Sequence, residues 1–233
     1  MTGDTLEELQ LQIGYQFQNT QLLLEALTHS SYAQETSAPT QDNEKLEFLG
    51  DAVLNFIVSV RLADVFPDYE EGKLSRARAR LVAAEHLAWA AARLRLGDFL
   101  RLGRGEEKTA GRSKMNLQVD ALEALLAALY RDGGLEAVRN FVERFILPAD
   151  LTSCADELFA IDFKSALQEY LQAAGTSPAS YRVAGESGPE HQKVFTVEVI
   201  AGDNGMARGG GGSKKAAEQQ AARNLLESLG RKP

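Results

Sequence analysis

Glu47 and Asp51, and Asp120 and Glu123, are the residues of this chain best placed to do chemistry. The spacings are i,i+4 and i,i+3, so on a helix each pair shares one face. Their neighbours are apolar: Leu46, Leu49, Val53 and Leu54 around the first pair, and Val119, Leu122, Leu125 and Leu126 around the second. A carboxylate set among apolar residues is costly unless something positive meets it. Hard oxygen donors suit a divalent cation, and the lack of a His or Cys cluster favours Mg²⁺ over Zn²⁺. From the residues alone, a solvated charged helix face remains an alternative.

The elements that must carry these acids are helical. Residues 1 to 147 read as nearly all helix. An apolar stretch at Leu22–Leu27 runs out at Thr28-His29-Ser30-Ser31-Tyr32, and a polar loop spans Gln34 to Asp42. Leu46–Val65 predicts a long helix closed by Phe66-Pro67-Asp68. Leu74–Val82 and Ala84–Leu94 predict two more, and Arg101–Lys114 reads as a Gly-rich charged loop. Leu117–Tyr130 is strongly apolar and is stopped by Asp132-Gly133-Gly134, after which Leu135–Ile146 closes the domain. Trp89 reads as core. His29 and His86 lack a second ligand at metal spacing and read as structural.

Residues 148–160 read as a linker. Beyond them the pattern changes to a helix at Phe163–Ala173, strands at Tyr181–Ala184 and Val194–Ile200, a third around Met206–Arg208, and a helix at Ser213–Leu229. That order, α-β-β-β-α, predicts a small α+β domain over 161–229 behind an all-α domain over 1–147. Gly209–Gly212 is a low-complexity piece, and with Ser213-Lys214-Lys215 it misses the phosphate-loop spacing, so no nucleotide cofactor is expected.

The chain has 233 residues, 44% apolar content and a net charge of −8. From Ala160 onward, nine Lys and Arg face eight Asp and Glu, a net of +1, so the first part carries −9. No stretch approaches a membrane span, and Met1–Gln12 lacks the basic start and apolar run of a signal peptide. Cys154 is the single cysteine, which excludes an intramolecular disulfide. A cytoplasmic protein is expected.

The wording of the motifs narrows this further. Asn43-Glu44-Lys45-Leu46-Glu47-Phe48-Leu49-Gly50-Asp51-Ala52-Val53-Leu54 resembles the signature of the bacterial ribonuclease III family, and Asp120-Ala121-Leu122-Glu123-Ala124-Leu125 resembles its second acidic motif. Ala26–Tyr32, Gly72–Arg76 and Tyr130–Gly134 agree in the family's order. Lys45, Gln118, Ala127 and the segment Thr109–Arg112 depart from the pattern, but no carboxylate is lost. The resemblance implies that Glu47, Asp51, Asp120 and Glu123 bind metal, with Asp51 and Glu123 anchoring the catalytic ion and orienting the attacking water. It implies Mg²⁺, with Mn²⁺ able to substitute. It places Glu44 on the dimer and substrate surface and Phe48 across a dimer interface, although the residue alone reads equally well as core.

Residues 161–229 resemble a double-stranded RNA-binding domain, most specifically at Ser213–Ala222. A-form RNA is read through 2′-hydroxyls and phosphates across its minor grooves. Gln168 and Glu169 on the first helix can meet one minor groove, His191 on a strand-connecting loop the next, and Lys214 and Lys215 at a helix start the phosphates between. The resemblance as a whole implies a homodimeric, Mg²⁺-dependent endoribonuclease acting on double-stranded RNA. It would leave 5′-phosphate and 3′-hydroxyl ends and process ribosomal and messenger RNA. A silent nuclease fold that only binds duplex, and a phosphohydrolase of small substrates, are the rival readings.

Overall fold

The computed structural model describes residues 3–160, 162–189 and 193–230. They divide into two compact units, up to Phe159 and from Ala160 onward. In the first, helices run in the order α1 (Gly3–Ile13), α2 (Thr20–Ala26), α3 (Ser30–Glu35), α4 (Glu44–Val65), α5 (Glu71–Leu81), α6 (Ala84–Arg93), α7 (Leu96–Phe99), α8 (Arg104–Lys108), α9 (Met115–Phe145) and α10 (Ala155–Leu158). No helix among the described residues is long and apolar enough to cross a membrane.

Helices α4 and α9 form the central pair. Leu46, Val53, Leu54, Ile57, Val58 and Leu62 recur at helical spacing and are buried on α4. Residues 124–129 of α9 are buried without interruption, so this helix runs through the middle of the domain. The expected stop at Asp132-Gly133-Gly134 is a break within α9. Gly134 takes φ 71°, ψ −171°, and the helix then resumes to Phe145. Asp132 is more than a terminator. Its carboxylate accepts hydrogen bonds from the Tyr15 hydroxyl (2.8 Å) and from the backbone N–H groups of Gln18 (2.9 Å) and Asn19 (2.9 Å). Burial and this carboxylate push the Tyr15 hydroxyl up to about 12. Asp132→Ala is therefore expected to cost about 2 kcal/mol in urea denaturation, the scale of several bonds to a charged acceptor at a half-exposed site.

Three sequence expectations need correction. Trp89 is 52% exposed, flanked by His86 (6.0 Å between ring centroids) and Arg93 (4.6 Å), because α6 turns its Leu87, Ala90 and Ala91 face inward instead. The 148–160 stretch buries Leu151 and Leu158 in the first unit's core, and Phe159 packs on Phe66 and Tyr69. The Arg101–Lys114 segment is folded, containing α8 and a 3₁₀ turn at Gly111–Ser113. Arg112 pairs with Glu107, Lys114 with Glu106 (2.5 Å), and Gln118 donates to the Arg112 carbonyl (2.7 Å).

The second unit is α11 (Phe163–Ala173), β1 (Ser180–Ser187), β2 (Val194–Ile200), β3 (Met206–Gly211) and α12 (Lys214–Ser228). The sheet is antiparallel in the order β1-β2-β3, with a bulge between Val183 and Gly185. Leu167 and Leu171 of α11, Val197 and Val199 of β2, and Ala217, Ala221 and Leu225 of α12 form its core. The Gly run is strand, not spacer: Gly209, Gly210 and Gly211 pair with Val197, Thr196 and Phe195. A Cβ at Gly209 would lie 2.1 Å from the Ala221 nitrogen, and one at Gly211 would lie 2.6 Å from the Ala217 nitrogen. Glycine lets α12 lie directly on β3.

Candidate active site and RNA-binding face

Glu47 and Asp51 sit on α4, Asp120 and Glu123 on α9. Gly50, between the first two, makes the close crossing possible. A Cβ there would lie 1.8 Å from the Glu123 carbonyl oxygen. Backbone thus meets backbone at the point where both acid pairs emerge. None of the four acids is fully buried: Glu47, Asp120 and Glu123 are half-buried and Asp51 is exposed. Asn55, one turn beyond Asp51, donates to its carboxylate at 2.8 Å. Sequence reading missed Asn55, and its i+4 spacing from Asp51 was the available signal.

The electrostatics join the four. Burial pushes the Glu123 carboxyl up to about 7, and the charges of Asp51, Glu47 and Asp120 push the same way. Glu47 is raised by burial and then by Asp120, Glu44 and Asp51. Asp120 is raised by burial, while His29 pulls it down. These are like charges held near one another with little positive compensation. Among the described residues no three of them close into a complete cation cage. The donor set still fits Mg²⁺, which takes one or two protein carboxylates and keeps several waters. Glu44 is exposed beside Glu47, and Phe48 is 83% exposed, so it belongs to no core of its own chain. His29 caps α3 through Nδ1, accepting from the Ser31 N–H (3.2 Å). His86 Nε2 meets the Ile146 carbonyl oxygen at 2.7 Å.

On the second unit, Gln168 and Lys215 line one groove between α11 and α12. Glu169 is exposed on α11 outside that lining. Lys214 leans over the Phe195 ring at 5.7 Å. His191 lies outside the described residues. Ser213 caps α12 by accepting from the Ala216 N–H at 3.1 Å. The surrounding cations are engaged: Lys164 with Glu218, Arg182 and Arg208 with Glu198, Lys193 with Glu186, and Arg223 with Glu227. Among the described residues of this unit, Lys214 and Lys215 have no carboxylate partner. They also sit at the positive end of α12, where cations are unfavourable by about 0.3–1 kcal/mol each unless an anion arrives. The modest net charge therefore understates the positive potential at this helix start.

Comparison with known proteins places this arrangement in a family. Residues 19–150 match the family described as Ribonuclease-III-like, and residues 163–229 match the double-stranded RNA binding motif. A ribonuclease 3 of Solibacter usitatus is 48% identical over 236 residues, covering 97% of this chain and 87% of the relative. One from Caldanaerobacter subterraneus is 45% identical over 225 residues, covering 97% and 98%. The nuclease domain of ribonuclease III from Campylobacter jejuni superposes with a TM-score of 0.57 at 36% identity, over 67% of this chain and 99% of that one. An all-α unit with crossed acidic helices, followed by a duplex-binding unit, defines a nuclease of double-stranded RNA. The chain belongs to the ribonuclease III family.

Proposed function

We propose that the chain is a divalent-cation-dependent endoribonuclease that cuts both strands of an RNA duplex as a homodimer, leaving 5′-phosphates and 3′-hydroxyls. The observation that carries this reading is the convergence of Glu47, Asp51, Asp120 and Glu123 at the Gly50 crossing. Asp51 and Glu123 would hold Mg²⁺ or Mn²⁺, with Glu47 and Asp120 completing the set. When bound, such an ion supplies Lewis acidity and a more acidic water. Asn55 fixes the Asp51 carboxylate, and the half-buried Glu123 and Asp120 would supply further acceptor oxygens. The homodimer is supported by the exposed aromatics of α4: Phe48, and Phe56 beside Val60 and Leu135 in one pocket. The related Campylobacter jejuni structure is described for a region involved in dimer formation. Ribosomal RNA precursors and structured messenger RNAs in the cytoplasm are the proposed substrates.

The test is incubation with a long RNA duplex in Mg²⁺ or EDTA, followed by end-group analysis. Cleavage in Mg²⁺ alone with 5′-phosphate ends supports the reading, and duplex retention without cleavage in either condition overturns it. Changing Lys214 and Lys215 together to Ala is expected to weaken duplex binding and to flatten the salt dependence by about two units of log K against log salt. An unaltered salt slope in a filter-binding series would count against this face.

A further inference from the structure

Thr28 is a fully buried polar residue between α2 and α3. Its hydroxyl donates to the Leu24 carbonyl at 2.6 Å and accepts from Arg101 Nη1 at 3.1 Å. Its carbonyl accepts the Asn43 N–H at 2.9 Å. Asn43 is itself buried, stands just before α4, and offers its own carbonyl to the Glu47 N–H at 2.8 Å. Asn43 makes no side-chain bond to its own helix, and its amide reaches the Ala26 carbonyl at 3.4 Å, one of the unsatisfied acceptors at the end of α2. The first acid pair is thus strapped to the residues around Thr28.

The other side of Thr28 leads to the second pair. Thr28 bridges Arg101 in parallel, with the Arg101 N–H on the Leu27 carbonyl (2.8 Å) and the His29 N–H on the Arg101 carbonyl (3.1 Å). The Arg101 guanidinium lies over Tyr32 at 4.2 Å. Leu100 and Leu102, on either side of Arg101, pack with Leu117 and Ala121 of α9 in a small separate core. Leu117 and Ala121 flank Asp120. One buried residue therefore connects the start of α4 to the part of α9 that presents Asp120.

We propose that Thr28 is a positioning residue for cleavage, a buried pin that fixes the two acid pairs relative to each other through Asn43 on one side and Arg101 on the other. This rests on the endoribonuclease reading above. Thr28 touches neither substrate nor ion. It acts by holding two carboxylate-bearing segments in register, where a displacement of about 1 Å can cost on the order of a hundredfold in rate.

The experiment compares Thr28→Val, which keeps the shape and removes the hydroxyl, with Thr28→Ser, which keeps the hydroxyl. Arg101→Met removes the same bond from its other end. Cleavage of a defined duplex is measured in Mg²⁺ with kcat and KM separated, alongside thermal stability and a titration with Mn²⁺ alone. Thr28→Val and Arg101→Met are expected to lower kcat by about tenfold or more with KM little changed, and to weaken Mn²⁺ binding. Thr28→Ser is expected to restore kcat. Gln10→Ala serves as the control, since this buried amide bonds the Leu6 carbonyl and the Phe17 N–H far along the chain from the acids, and its loss should lower stability alone. Wild-type kcat and Mn²⁺ affinity in either Thr28→Val or Arg101→Met overturns the pin. A wild-type protein that binds Mn²⁺ but never cleaves overturns the endoribonuclease reading instead.

Discussion

Glu123→Gln abolishes Mg²⁺-dependent cleavage of a long RNA duplex and leaves duplex affinity intact. The rate loss expected is on the order of 10³ or more, since the Lewis acidity lost with a ligand is worth several kcal/mol. The same variant should be more stable than the parent in EDTA at neutral to alkaline pH. Glu123 is lifted from 4.5 to about 7 by burial and by three neighbouring carboxylates. The native state then binds a proton more tightly than the unfolded chain, so this group's contribution to stability falls as pH rises from 4.5 through about 7. For a partly exposed carboxyl, solvent screening reduces the effect to about 1 kcal/mol. Melting curves of metal-free protein across that range should slope downward with pH, and Glu123→Gln should flatten the slope. A variant that cuts duplex at the parental rate would remove Glu123 from the chemistry.

Gly50→Ala has the largest expected effect on the fold. The added methyl would lie 1.8 Å from the Glu123 carbonyl oxygen and 2.5 Å from its carbon. Both are backbone atoms, so no side chain can rotate away and α4 must move off α9. Overpacking at a buried backbone contact costs about 3 kcal/mol or more. Chemical denaturation should show a lower midpoint, and cleavage should fail together with stability. Glu123→Gln separates the two properties and Gly50→Ala joins them. Parental stability in Gly50→Ala would show that the helices can be spaced differently from the crossing described above.

The order of helices and strands was legible in the sequence because long periodic segments such as Leu46–Val65 and Leu117–Tyr130 bury one consistent face. The acid pairs were legible because their spacing and their apolar neighbours conflict. What escaped was set by tertiary contact. Trp89 looked like core by residue type, but α6 buries its alanines instead. Residues 148–160 looked like a linker because Pro148 and the polar residues hide how Leu151 and Leu158 are used. Asn55 was overlooked although its i+4 spacing from Asp51 was there to read, whereas Asn43 and Thr28 bond across the fold to Ala26 and Arg101, contacts that leave no periodic trace. Phe48 was ambiguous because a residue that meets solvent in one chain is written with the same letter as one in a core.

The strand of glycines has a consequence for how this domain can vary. At Gly209 and Gly211 every other amino acid would drive atoms into the backbone of α12, whereas a Cβ at Gly210 comes no nearer than 3.9 Å to any neighbour and one at Gly212 meets nothing. Tolerance to mutation should therefore alternate letter by letter along four identical residues, following the pleat of β3. A saturation scan read out as survival of the folded domain would show two closed positions interleaved with two open ones, in a segment whose composition suggests that all four are interchangeable.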